Sequence, residues 1–230
     1  MIKLSIKNLA SFALANACPR CLWVKHQLGY NTPFSIFPGV FSTIDSHCKR
    51  LCDFHLQAHN ALPPWLEDRF PGYRPIKVPH YSKLTFQIGD VESRGTPDYV
   101  LTKDGKLVVL DNKTAHFKDA DDPLAALYDV QLNACGLALE KNGHGKVESL
   151  HLVYYDPIRL EEGCTLPFFG SNPALVFEVK MRDVEVDTAL VERTAAAAAK
   201  VLALTSAPAG VDGCKNCKKL DVLSGVLNVG

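Results

Sequence analysis

The stretch GTPDYVLTKDGKLVVLDNKTA, Gly95 to Ala115, sets two aspartates, Asp98 and Asp111, in runs that otherwise read as apolar strand. Between them lies Asp104-Gly105, the signature of a two-residue type I′ hairpin, whose central positions both take positive φ. With that loop Lys103 pairs with Lys106 and partner numbers sum to 209, so Asp98 stands directly opposite Asp111. Lys113, two residues on, shares their face. Val100, Leu107 and Val109 lie on the same face; Tyr99, Leu101, Val108 and Leu110 lie on the other. Two apolar faces predict a covered central pair rather than a sheet edge. Like charges placed opposite one another are destabilising. Burial raises one carboxyl's pKa strongly unless a cation joins the pair. A divalent metal would resolve the conflict, and the acids are read as a metal site built on rigid strands.

Outward from this hairpin the chain alternates between helical and extended patterns. Residues 5–29 read as helix and carry Cys18 and Cys21; TPFSIFPG, 32–39, reads as loop. A second helix is expected over about 39–60. LPPWLEDRFPGYRP, 62–75, reads as loop, and 76–88, 91–102 and 106–113 as strands. Asp122 and Pro123 suit the cap and first position of a helix ending near Lys141, with Asn142-Gly143 closing it. VESLHLVYYDP and ALVFEVKM read as two further strands. A last helix spans about 187–205 and includes Ala195 to Ala199, read as a close-packed face. The order predicts an α/β fold with a mixed central sheet flanked by helices.

Composition narrows the function. The 230 residues carry a formal net charge of zero, so bulk charge announces no nucleic-acid partner and any basic footprint must be local. No apolar run suits a membrane span. The N-terminal apolar run leads into Cys-Pro-Arg-Cys and is read as mature structure, with a signal peptide as the alternative; a cytoplasmic location is expected. Eight cysteines are too sparse for a disulfide scaffold, and the paired ones are better read as metal ligands.

Asp98 after Pro97, then Asp111-Asn112-Lys113 at a strand end, resembles the PD-(D/E)XK nuclease superfamily. VVLDNKT is similar to the catalytic strand of its RecB-like branch. SIKNLASFALANACPRC resembles that branch's opening helix, GVFSTIDSHCKR its helix with a metal-binding histidine, and YDVQLNACGLAL its helix with a glutamine. The resemblance covers nearly the whole chain in the right order. It implies one nuclease domain over 1–230 with a restriction-endonuclease-like fold. It implies a Mg²⁺ or Mn²⁺ ion held by His47, Asp98, Asp111 and the Asn112 carbonyl. Lys113 and Gln131 join the two acids as catalytic residues, with Tyr128 on the DNA side.

His47 is also read from its helix. Val40, Ile44, His47, Leu51 and Phe54 recur at helical spacing, which predicts an inward stripe. Hydrolysis of a phosphodiester needs an activated water and stabilised phosphate charge, and carboxylates with open positions suit such an ion. Lys113 would neutralise charge in the transition state.

Cys18-x-x-Cys21 and Cys214-x-x-Cys217 are at metal-ligand spacing and together predict a four-thiolate site joining 1–30 to 206–230. The resemblance extends to members with a four-iron, four-sulfur cluster, among them AddB and the nucleases of CRISPR adaptation. Those have one N-terminal and three C-terminal ligands, whereas this chain has two and two. The resemblance favours the cluster, with zinc as the alternative. Cys48, Cys52, His55 and His59 follow one helical face and are read as packing, with a second metal site as the alternative; Cys135 and Cys164 are read as core or incidental. Arg20 and Lys25 beside the cysteine pairs could hold DNA backbone. The activity expected is exonucleolytic cleavage of single-stranded DNA or DNA ends, in recombination, repair or CRISPR adaptation. The alternative is a non-catalytic nucleic-acid-binding or scaffold subunit of a helicase or integrase complex.

Overall fold

The computed structural model describes residues 1–30, 39–118, 122–158 and 168–227. The loop 32–38 and Cys164 lie outside them. From the N-terminus, β1 (Ile2–Ser5) leads into α1 (Ile6–Ala10), whose N-cap Ser5 accepts from the Asn8 backbone N–H. After a short 3₁₀ turn come α2 (Pro19–Gln27), α3 (Gly39–His59) and α4 (Pro64–Glu67). Strands β2 (Arg74–Ile76), β3 (Thr85–Ile88), β4 (Val91–Arg94), β5 (Tyr99–Lys103) and β6 (Lys106–Lys113) precede α5 (Ala125–Lys141). The chain closes with β7 (Lys146–Pro157), β8 (Phe168–Phe169), β9 (Asn172–Pro173), β10 (Phe177–Val184), α6 (Thr188–Leu202) and α7 (Lys215–Leu227).

The main sheet runs β10-β7-β6-β5-β2, with β6 and β7 parallel and the other pairs antiparallel. A smaller sheet, β1-β4-β3, is also mixed, and β8 with β9 forms a two-stranded ribbon. The main sheet is covered on both faces. One face carries Val100, Leu107, Val109, Leu150 and Leu152 against α1, α5, α6 and the smaller sheet. The other carries Leu101, Val108, Leu110, Val153 and Tyr155 against α3 and the segment Leu62–Phe70. This is the expected mixed α/β architecture of a restriction-endonuclease-like fold. Its alanine-rich helix behaves as read: Ala195 and Ala198 are buried in the core.

The hairpin forms in the register set by Asp104-Gly105. Both residues have positive φ, 52° and 77°. Pairing runs from Lys103↔Lys106 to Tyr99↔Leu110, which leaves Asp98 opposite Asp111 at the open end.

Four local expectations are corrected, the first being the strand expected over 76–88, which is instead the end of β2, a 3₁₀ turn at Tyr81–Lys83 and β3 in the smaller sheet. The helix expected over 5–29 is broken at 14–18, and before it a short strand, β1, pairs in parallel with β4. Residues 91–102 are not one strand: β4 and β5 belong to different sheets, split at Gly95–Asp98. The stripe Val40, Ile44, His47, Leu51, Phe54 does not face inward. Val40, Leu51 and Phe54 are 58%, 43% and 70% exposed. The buried stripe of α3 is one step over, with Cys48 and Cys52 flanked by Ile44 and Leu56. Small thiols let the helix approach the sheet, and Cys52 Sγ lies 3.6 Å from the Tyr155 hydroxyl.

Candidate active site and thiol site

Asp98 and Asp111 sit at the open end of the β5–β6 hairpin, on the face that α5 covers. Asp111 is 4% exposed. Its Oδ1 accepts from Gln131 Nε2 at 3.1 Å, and its Oδ2 forms an ion pair with Lys113. Lys113 Nζ also donates to Gln131 Oε1 at 3.4 Å and stands 4.4 Å over the Tyr128 ring. Gln131 and Tyr128 project from the same side of α5, three residues apart, so one helical turn holds the carboxylate and its lysine together. Burial pushes the Asp111 carboxyl up; the Lys113 ammonium opposes that rise and the Asp98 charge adds to it.

Asp98 is held differently. Its Oδ2 accepts the Asn112 backbone N–H at 2.8 Å, which ties it to the strand carrying Asp111. Its Oδ1 pairs with Lys49 Nζ at 2.7 Å, and Lys49 also pairs with Asp45 at 2.8 Å. Tyr99, next to Asp98, donates from its hydroxyl to the Lys49 carbonyl at 2.8 Å, fixing α3 over the hairpin end. Lys49 and Asp45 were not anticipated. Their signal is an acid and a lysine four residues apart, on the face of α3 that also carries Cys48.

His47 is exposed and joins none of these contacts. The register argument contains the reason. Asp98 and Asp111 share the Val100–Val109 face, whereas α3 packs on the Leu101–Leu110 face. A residue of α3 reaches the acids only around the sheet end, and Lys49 is the one that does. The Asn112 side chain is buried, with Nδ2 lacking a partner among the described residues. Cys135, one turn after Gln131, is fully buried in the core, its thiol pushed up by burial.

The donors at this site are hard: two carboxylates and a side-chain amide oxygen, with no sulfur or imidazole. That set fits Mg²⁺ or Mn²⁺ rather than a thiophilic ion. Each of the two acids has a lysine partner, Lys49 being shared with Asp45, so the charge conflict read from the sequence is met at least in part by ammonium groups.

The second site is remote in sequence. Cys18 Sγ lies 3.4 Å from Cys217 Sγ, and Cys21 Sγ lies 3.6 Å from Cys214 and 3.5 Å from Cys217. All four sulfurs fall within 4.8 Å of one another, the one such gathering of three or more His, Cys, Asp or Glu side chains among the described residues. Cys18 stands at the N-cap position of α2, with Pro19 at the first helical position, and Cys214 immediately precedes α7. Desolvation works against ionisation throughout the cluster: it pushes the Cys21 and Cys217 thiols up, while at Cys18 hydrogen bonds from the Val211 and Cys21 backbone and from neighbouring thiols outweigh it and lower the pKa to about 6. Arg20 is engaged with Asp221 of α7 at 2.6 Å, and Lys25 lies 5.7 Å from the centre of the Tyr30 ring. Arg20 lies at the thiols and Lys25 against Tyr30, whereas Tyr128 is at the acids. Cys48 and Cys52 are buried as packing, and His55 is bonded to the Ala61 carbonyl at 3.1 Å.

A model of the PD-(D/E)XK nuclease superfamily matches residues 14–222, a span that takes in the acids and all four clustered thiols. No curated protein matches the chain. A solved structure titled "Crystal structure of SSO0001" aligns over 90% of this chain and 79% of its own, at 16% identity and a TM-score of 0.39. So loose a likeness carries no argument. No helix among the described residues is long and apolar enough to cross a membrane.

Proposed function

Because the chain belongs to the PD-(D/E)XK nuclease superfamily, we propose that it hydrolyses phosphodiester bonds of DNA with Mg²⁺ or Mn²⁺, as an exonuclease on single strands or ends. The observation that carries this reading is Asp98 and Asp111 together at the open end of one hairpin, with Asp98 tied to the Asn112 N–H and Lys113 and Gln131 closed on Asp111. Asp98, Asp111 and the Asn112 carbonyl would hold the ion. When bound, such an ion lowers the pKa of a coordinated water and polarises the phosphoryl oxygen.

The chain's own residues supply the rest. The Lys113 ammonium, steadied by Gln131 and the Tyr128 ring, is placed to move from Asp111 toward a phosphate oxygen as charge develops there. Gln131 keeps Asp111 oriented while that lysine moves. Tyr128 offers a ring face on which a base or sugar can rest. Arg20 and Lys25 would contribute a separate patch to backbone binding. In this reading 1–230 is one nuclease domain, cytoplasmic, that acts in recombination, repair or CRISPR adaptation alongside a helicase or integrase.

The test offers labelled single-stranded DNA, blunt duplex, closed circular DNA and RNA of the same sequence, with Mn²⁺. Shortening of the linear DNAs, sparing of the circle and loss of cleavage in Asp111→Ala are expected. Wild-type protein that binds these DNAs and cuts none of them would instead be a binding or scaffold subunit.

A further inference from the structure

The family resemblance implies a cuboidal iron–sulfur cluster at the cysteines, and the geometry of the four sulfurs does not fit one. In such a cluster each thiolate binds a different iron from outside the core, so the irons and bridging sulfides stand between the cysteines. Here every sulfur is within 4.8 Å of every other, and three pairs lie at 3.4, 3.5 and 3.6 Å. Even at the 4.8 Å limit, the centre of a regular tetrahedron lies about 2.9 Å from each sulfur, room for one ion and not for a core of eight atoms. A tetrahedral zinc thiolate, with bonds of about 2.3 Å, sets its sulfurs about 3.8 Å apart.

We propose that Cys18, Cys21, Cys214 and Cys217 together hold one zinc ion as a closed structural site.

The surroundings are those of a compact tetrathiolate. Cys21 approaches both Cys214 and Cys217, which is a quartet and not two disulfide pairs. Each Cys-x-x-Cys straddles the start of a helix, α2 or α7, where free backbone N–H groups favour thiolate charge. The Val211 N–H points at Cys18 Sγ at 3.5 Å. Gly210 is packed so closely that a Cβ there would stand 2.7 Å from Cys217 Sγ. That wall bounds the quartet on the Cys217 side. Four thiolates fill a tetrahedron, so the ion has no open position for substrate and joins the chain ends instead.

The experiment is metal analysis of the full chain, purified without oxygen from cells supplied with both iron and zinc. Expected are one zinc per chain, no acid-labile sulfide and no visible colour. Exchange with Co²⁺ should give the intense visible bands of a tetrahedral thiolate site. Cys214→Ser should weaken zinc at least tenfold against a competing chelator, while Cys48→Ser leaves it unchanged. Four irons with labile sulfide, one iron, or no bound metal in the wild type would each overturn the proposal, whatever the folding of the variants. None of these readouts depends on cleavage, so they stand or fall apart from the reading of the acids.

Discussion

The carboxylates and the thiols are gathered in opposite ways. Asp98 and Asp111 are brought together by a two-residue turn, within one hairpin that pairs with its neighbours along its length. Cys18 and Cys217 meet across 199 residues, from helices that touch little else in common. The acids come with their own cations, Lys49 and Lys113. At the thiols the Arg20 guanidinium is shared, facing Cys217 while it pairs with Asp221 at 2.6 Å. One site is therefore preformed and an ion must displace ammonium groups to enter it. The other is a closure between distant segments, which under the zinc proposal the ion would hold together.

The largest test of that difference is removal of the thiol site. An ion that joins positions 199 residues apart restrains the unfolded chain much as a cross-link does, by about 5 kcal/mol on the loop-entropy account. Cys18→Ser, or zinc chelation, should lower the melting midpoint by roughly 10–20 °C for a chain of this size. Calorimetry with and without chelator measures it. A midpoint within a few degrees of wild type would mean that the ends dock without the ion.

Asp111→Asn should show the reverse profile. Cleavage should fall by about 10³-fold or more, while the midpoint moves far less than in Cys18→Ser, because Lys113 keeps Gln131 and the Tyr128 ring. The metal-free wild type also carries a pH signature. A carboxyl whose folded pKa lies above its unfolded value binds its proton more tightly when folded. It therefore favours the fold in acid, and that advantage is lost as pH rises from about 3.9 through the raised folded pKa. Asp111→Asn should remove this slope from melts recorded across acid pH.

The same contrast explains what could be read from the residues. The hairpin was legible because Asp104-Gly105 fixes register and every later position follows with period two. The smaller sheet was not. β1 is four residues long and pairs in parallel with β4, a partner about 90 positions away that no local pattern announces. The inward face of α3 was misjudged because apolar residues lie on two adjacent stripes. The stripe with larger side chains was the natural choice, yet the sheet accepts Cys48 and Cys52. His47 lies on the exposed stripe, and Lys49 lies beside the buried one. The joining of the thiol pairs was legible from spacing alone. The proposed identity of the ion rests on sulfur-to-sulfur distances, which spacing does not contain.

Lys113→Ala separates ion binding from chemistry within the preformed site. Mn²⁺ should still bind, because the carboxylates remain, and the loss of a competing ammonium offsets the loss of screening. Cleavage should fall about 10²- to 10³-fold, the range for removing one charge-stabilising donor. Wild-type rates in this variant would remove Lys113 from the reaction.

The smallest and sharpest effect belongs to Lys49. Its ammonium holds Asp98 Oδ1 at 2.7 Å while its side chain stays about one-third exposed. An exposed pair of this kind contributes about 0.2–1 kcal/mol, so an ion entering at Asp98 gives up that amount to displace it. Lys49→Met keeps the apolar stem and removes the charge. It should tighten Mn²⁺ binding up to about fivefold, the same energy expressed as a binding constant. Asp45 is left free to turn to solvent, and Asp98 is still tied by the Asn112 N–H at 2.8 Å. Titration calorimetry of the two proteins at one ionic strength decides the sign. Tighter binding means that the hairpin alone organises Asp98 and that the lysine only occupies the place of the ion. Weaker binding means that Asp98 depends on α3 for its position, and the acid site would then be, like the thiols, an assembly of distant parts.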